Sequence, residues 1–364
     1  MKSFSITVSD EELDDLRYRL DHTRYATAAP GEPWAAGVPP EYLRELVDYW
    51  RASYDWRAQE ARLNSYPQFL ADIEGTAVHF VHRPSTNPNA IPIILSHGWP
   101  YTFVEMLPLA DELRDFHVVL PSLPGYGFSA VPATGDVTGP TIAETWHALM
   151  AELGYDRYLT YGEDIGAGAS DWLAALHPES VRGIHAAHAG FPPRELRGQL
   201  SEVESDFFVW LADVWSGGDA YSEMQATRPD TLAATLSDSP AGLAAWIVEK
   251  FREWSDCHGD LESSFSKDQL LTTVMIYWIS NSIATSFRPY YDDHRAAPLP
   301  PVTVPAGITV QQHENRYPRE LADRTYSDVR FFHLLERGGH FTAAEAPDLV
   351  AADLRSFVAT LPAE

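Results

Sequence analysis

Apolar residues recur at helical spacing near the start of the chain and at strand spacing further on. Leu13, Leu16 and Leu20 share one helix face, and Ser9 with Glu12 forms a capping box just before them. A Pro- and Gly-rich connector over 28–40 leads to a second helical stretch, about Tyr42 to Leu63, rich in Trp and Tyr. Residues 1–75 therefore read as a mostly helical lead-in.

Strand patterns then follow at the interval of a βαβ array. Thr76 to His82 alternates, while Ile91 to Leu95 and Phe116 to Leu120 are short apolar runs around a helix-length segment, Thr102 to Leu113. Thr141 to Leu153 reads as a helix, Tyr158 to Tyr161 as a strand, Ala167 to Leu176 as a helix of small residues and Gly183 to Ala189 as a strand. Over 191–300 the strand rhythm gives way to long aromatic-rich helical patterns containing Phe207, Trp210, Trp215, Trp246, Trp254 and Tyr277. Strands resume at Ile308 to Gln311 and Val329 to Leu335. The pattern predicts an α/β protein with a mostly parallel sheet, divided into 1–75 (lead-in), 76–190 (core), 191–300 (helical cap) and 301–364 (core). It contains no internal repeat.

The chemistry is concentrated where strands end. Gly162-Glu163-Asp164-Ile165-Gly166 is the G-x-S-x-G elbow of an α/β-hydrolase with Asp in place of Ser. A carboxylate there is a poor acyl acceptor, but it displaces a leaving group at an sp³ carbon and forms an alkyl-enzyme ester. Epoxides or alkyl halides, not esters, are the matching substrates. His97-Gly98-Trp99-Pro100 follows the run to Leu95, in the loop that supplies one oxyanion-hole N–H. Pro100 has no N–H, so the donors are the amides of Trp99 and Ile165. Gly338-Gly339-His340 follows the last strand and offers a general base. Glu314 lies between nucleophile and base in chain order and is the choice for orienting the imidazole, with Glu320 and Asp323 close by.

Composition narrows the rest. A net charge of −26 opposes binding to nucleic acid or anionic membranes. Cys257 is the only cysteine, which excludes an internal disulfide and a Cys-rich metal site. The start of the chain lacks an apolar signal region, and no run of ~18 apolar residues could span a bilayer, so a cytoplasmic protein is expected. No phosphate loop or dinucleotide fingerprint occurs, and neither a cofactor nor a metal is expected. His185 and His188 fall on the last strand before the cap, where their spacing sends the rings to opposite faces, and Asp256-Cys257-His258 reads as a turn.

In order along nearly the whole chain, the sequence resembles the microsomal-type epoxide hydrolases. The resemblance runs through Tyr66-Pro67-Gln68-Phe69, Ile73-Glu74-Gly75, His97-Gly98-Trp99-Pro100, Pro121 to Ser129, the Asp164 elbow, Ser239 to Trp246, Phe265 to Leu271 and Arg337 to Phe341. It implies that residues 1–75 are that family's N-terminal region and that two cap tyrosines hold the epoxide oxygen. Tyr221 matches one of them and Tyr290 the other, with the adjacent Tyr291 as its alternative. The implied reaction needs only an apolar epoxide and water and yields a vicinal diol; homodimers are common in the family. The family's usual elbow is Gly-Gly-Asp-Trp-Gly, so Glu163 and Ile165 are departures. Ile165 removes an aromatic wall, which suggests a bulky aryl or vinyl epoxide, with natural-product biosynthesis among the expected roles. A haloalkane or haloacid dehalogenase of the same fold is the alternative, and a non-catalytic binder of a hydrophobic ligand a more distant one.

Overall fold

The short apolar runs of the sequence become central strands buried on both faces, as a parallel sheet covered by helices requires. The computed structural model describes residues 1–27, 30–132, 135–191, 200–215, 219–293 and 297–362. Nine strands form one sheet: β1 (Lys2–Phe4), β2 (Gln68–Ile73), β3 (Thr76–Arg83), β4 (Pro92–Ser96), β5 (His117–Pro121), β6 (Tyr158–Gly162), β7 (Val181–Ala186), β8 (Ala306–Gln311) and β9 (Val329–Leu335). Their spatial order is β1-β2-β3-β5-β4-β6-β7-β8-β9. β4 to β9 are mutually parallel, while β1, β2 and β3 join antiparallel at one edge.

The N-terminal region is less purely helical than its pattern suggests, because β1 and β2 enter the sheet. The cause is a two-residue turn: Ile73 pairs with Thr76, and Glu74 and Gly75 take φ of 51° and 84°. Two positive φ values mark a turn whose twist suits an antiparallel hairpin. The Asp72 carboxylate accepts the Gly75 N–H at 2.9 Å and closes it. The stretch from 42 to 63 is two helices, Pro40–Ala52 and Trp56–Asn64, because Asp55 caps the second through the Ala58 N–H. The Ser9 capping box opens helix Asp10–Asp21.

Those N-terminal helices brace the helical segment inserted between β7 and β8. Tyr49 donates to Asp268 at 2.8 Å, and Arg19 pairs with Asp238 at 2.7 Å. Among the described residues the insert comprises helices Glu202–Trp215, Ala220–Thr227, Pro229–Leu236, Pro240–Trp254, Lys267–Ser280, Ile283–Ser286 and Arg288–Asp292. The side chain of Trp215 lies outside the described residues. β7 stops at Ala186, three residues before the expected end, and the chain carrying His188 leaves the sheet toward the site. Among the described residues no single helix is long and apolar enough to cross a membrane.

Leu46 is completely buried on helix Pro40–Ala52. Leu46→Ala should cost about 2–5 kcal/mol of stability, because a cavity is added to the lost transfer energy. Urea unfolding will measure it, and a loss below about 1 kcal/mol would show that this helix is not part of the cooperative core.

Candidate active site

Parallel strands send all their carboxyl ends the same way, so the loops leaving β4, β6, β7, β8 and β9 gather at one edge. Those loops carry Trp99, Asp164, His188, Glu314 and His340 respectively. The elbow after β6 is steric in origin. A Cβ on Gly162 would lie 2.1 Å from the Gly166 carbonyl oxygen, and one on Gly166 would lie 2.2 Å from that of Ser96. Between them Asp164 adopts φ 51° and ψ −125°, a strained conformation that lifts its side chain above the sheet. Gly98 leaves room for it, since a Cβ there would be 2.3 Å from Asp164 Oδ1.

The Trp99 N–H donates to Asp164 Oδ1 at 2.9 Å. His97 holds that loop: its Nε2 accepts the Leu123 N–H at 3.0 Å, which leaves Nδ1–H to donate to the Gly98 carbonyl at 2.9 Å. Asp164 Oδ2 faces His340 Nε2 at 3.5 Å, an ion-pair distance longer than a good hydrogen bond. On its other side His340 Nδ1 meets Glu314 Oε1 at 2.5 Å. Glu320 and Asp323 take no part; they lie on helix Arg319–Thr325, where Asp323 pairs with Arg319.

Burial pushes the Asp164 carboxyl upward, but His340 and the Trp99 and Ile165 N–H groups outweigh it and hold the pKa below the usual carboxylate range. Burial depresses His340, yet Glu314 and Asp164 raise it well above the usual imidazole range. Glu314 is likewise held down against burial by His340 and His188. The resting site is thus an imidazolium between two carboxylates.

The sequence reading placed His188 on a strand and gave it no part in the site. Its Nδ1 accepts the elbow N–H of Asp164 at 2.6 Å, so the ring proton sits on Nε2, which donates to Glu314 Oε2 at 3.2 Å. Its ring also stacks on His340 with 4.6 Å between centroids. The two expected histidines do diverge, for His185 points into the core and bonds Thr309. No local signal marks His188, because its partners come from β6 and β8, the neighbours of β7. Glu163 was read only as a departure from the family elbow. It is buried, and its Oε1 accepts from the Tyr161 hydroxyl at 2.5 Å and from the Ala343 N–H at 2.7 Å. Burial raises its pKa against the opposing pull of His188 and of these two donors.

Tyr221 and Tyr290 face the nucleophile from the insert. They line a cavity of about 630 Å³ together with Asp164, Ile165, Trp210 and Glu314. Tyr221 stacks on Trp99 at 5.3 Å, its hydroxyl interacts with that of Tyr290, and burial raises both phenols. Tyr291 does not line this cavity; the Arg288 guanidinium lies over its ring at 5.0 Å. Ile165 and Tyr290 also border a second, mainly apolar cleft of about 340 Å³ lined by Ile142, Trp172 and Pro289. Ligand atoms of His188, Glu314 and His340 lie within 4.8 Å of one another, but their nitrogens and oxygens already bond to each other and to the elbow.

A strand-elbow-helix unit with a histidine loop after the last strand defines an α/β-hydrolase, and residues 91–216 match the model of the alpha/beta hydrolase fold. Residues 1–106 match the model of the epoxide hydrolase N terminus. A putative epoxide hydrolase of Stigmatella aurantiaca (strain DW4/3-1) is 39% identical, covering 97% of this chain and 83% of that protein. Two solved structures superpose closely. Aspergillus niger epoxide hydrolase has 31% identity and a TM-score of 0.88, covering 99% of this chain and 96% of that one. Juvenile hormone epoxide hydrolase from the silkworm Bombyx mori has 29% identity and a TM-score of 0.90, covering 98% and 94%. The chain belongs to the epoxide hydrolase family and is a hydrolase.

His188→Ala removes both the acceptor for the elbow N–H and a donor to Glu314. Diol formation should fall about 10- to 100-fold, the usual cost of losing a supporting partner. His188→Asn, which keeps an acceptor near the δ position, should retain more activity than His188→Ala; equal and full activity in both would make His188 a bystander.

Proposed function

We propose that Asp164 is the nucleophile of an epoxide-opening reaction that passes through an alkyl ester. One observation carries this reading: the Asp164 carboxylate has Oδ1 on the Trp99 N–H at 2.9 Å and Oδ2 facing His340 at 3.5 Å, in the cavity bordered by Tyr221 and Tyr290. Oδ2 attacks an epoxide carbon, the C–O bond breaks, and the departing oxygen takes a proton from the tyrosine pair. The product is a hydroxyalkyl ester of Asp164.

Ester formation removes the Asp164 charge, one of the two that raise His340. The imidazole then gives up its proton more easily; that proton replaces the one the tyrosine pair lost to the opened ring, and His340 becomes the base that the second step needs. His340 takes a proton from water, the hydroxide attacks the ester carbonyl, and the oxyanion forms where Oδ1 already meets the Trp99 N–H. Donors so placed are typically worth about 3 kcal/mol each. Collapse releases the diol and restores the carboxylate. The names of the relatives favour this epoxide chemistry over halide displacement.

The substrate is proposed to be a bulky, aryl- or vinyl-bearing epoxide. Support comes from the cavity volume, the aromatic walls given by Trp210 and Trp254, and the extra cleft beside Ile165.

Asp164→Ala should lower diol formation by about 10⁴-fold or more. A single turnover in ¹⁸O-labelled water should leave the label on Asp164 and not in the diol, as mass spectrometry of both will report. Label appearing directly in the diol would replace the ester by direct attack of water. In Glu314→Gln the loss of a charge that raises His340 should move the acid limb of the kcat profile to lower pH while the maximum falls; an unmoved limb would mean that His340 is not the base. Ile165→Trp narrows both spaces and should reduce kcat/KM about tenfold for a bulky epoxide relative to a small one.

A further inference from the structure

Outside the catalytic residues, three side chains of ligating type converge around His313, which helps to line the cavity. Asp256 and His258 lie just after helix Pro240–Trp254, and His313 immediately precedes Glu314. Asp256 Oδ1 stands 3.1 Å from His313 Nδ1 and 3.4 Å from His258 Nε2, and all three atoms fall within 4.8 Å of one another. Zinc-like bonds of about 2.0–2.1 Å place two ligand atoms about 3.3 Å apart at the tetrahedral angle. Both Asp–His separations match that edge, and His258, which is 81% exposed, is free to close the third.

One feature beyond the spacing points to a ligand here. Asp256 Oδ1 is buried, and among the described residues no hydrogen bond reaches it, although two imidazole nitrogens face it. The imidazoles meet it at ion-pair distances of 3.1 and 3.4 Å rather than through hydrogen bonds. The His258 ring lies 5.4 Å from that of His313, which brings the third side chain to the pair. The carboxylate is moreover oriented as a ligand would be: its Oδ2 accepts the Gly338 N–H at 3.0 Å, and the Asp256 N–H is fixed by Glu345 at 2.7 Å.

We propose that Asp256, His258 and His313 bind a divalent first-row transition ion of the zinc class, completed by water. Two imidazoles with one carboxylate select zinc, cobalt, nickel or copper over calcium or magnesium, which prefer oxygen alone. The His188, Glu314 and His340 group is the weaker site. His188 carries its proton on Nε2, the nitrogen that faces Glu314, because Nδ1 accepts the elbow N–H. The bound ion clasps the segment after helix Pro240–Trp254 to the loop that carries Glu314, and so joins the insert to the core at the rim of the cavity.

The test titrates chelator-treated full-length protein with ZnCl₂ by calorimetry and with CoCl₂ by visible absorption. One equivalent should bind with the intense visible bands of four-coordinate cobalt, and ZnCl₂ should raise the thermal midpoint by mass action. His258→Ala, which alters an exposed side chain outside the cavity, should weaken binding at least about tenfold and abolish the thermal shift while diol formation without metal stays unchanged. His313→Ala should weaken binding similarly. Binding unaffected by His258→Ala but lost in His340→Ala would move the ion to the catalytic group and overturn the proposal. Absence of any heat or cobalt spectrum at millimolar metal would overturn it outright.

Discussion

Keeping a carboxylate ionised where water is scarce is the constraint on which the rest of this structure depends. Asp164 is set into a place that penalises its charge, and it remains an anion only because three partners converge on it: the His340 imidazole and the Trp99 and Ile165 N–H groups. Each partner comes from a different element, so the charge is stable only when the loops after β4, β6 and β9 are all in register. The glycines at 98, 162 and 166 follow from the same demand, since any side chain there would collide with the carboxylate or with the backbone beneath it.

A second layer of bonds holds these loops together. Glu314 gives one oxygen to His340 and the other to His188, and His188 returns to the elbow through the Asp164 N–H. The nucleophile, its support and the base therefore form a closed ring of contacts across β6, β7, β8 and β9. Glu163 adds an internal strut. Buried, with its pKa raised by that burial, it reaches from the elbow to the Ala343 N–H, three residues past the base. At this position the family elbow carries glycine, which could not make such a link.

How much was legible in the sequence follows from where each interaction originates. The elbow, the Trp99 loop and the His340 loop are local devices, written in glycines and in positions after apolar runs, and all three stand where those runs placed them. Glu314 needed its order relative to nucleophile and base, and only its distance to His340 separates it from Glu320 and Asp323. The role of His188 was invisible because it comes from the lateral order of strands, which no spacing along the chain encodes. β2 was missed because its six residues alternate poorly and depend on the Glu74-Gly75 turn for pairing. The Asp256 cluster was read as a turn, which it is; the third member, His313, lies 55 positions beyond His258.

The hydroxyls that meet the epoxide oxygen and the groups that cleave the ester are mounted on different bodies. Tyr221 and Tyr290 belong to helices Ala220–Thr227 and Arg288–Asp292 of the insert, whereas Asp164, His188, Glu314 and His340 all stand on loops of the sheet. On the proposed mechanism, a small shift of the insert would detune the first half-reaction and leave the second intact. Changes accumulating in the insert could then alter which ring opens, and at which carbon, without disturbing the turnover of whatever ester has formed. Selectivity and hydrolytic power are, in this architecture, separately heritable.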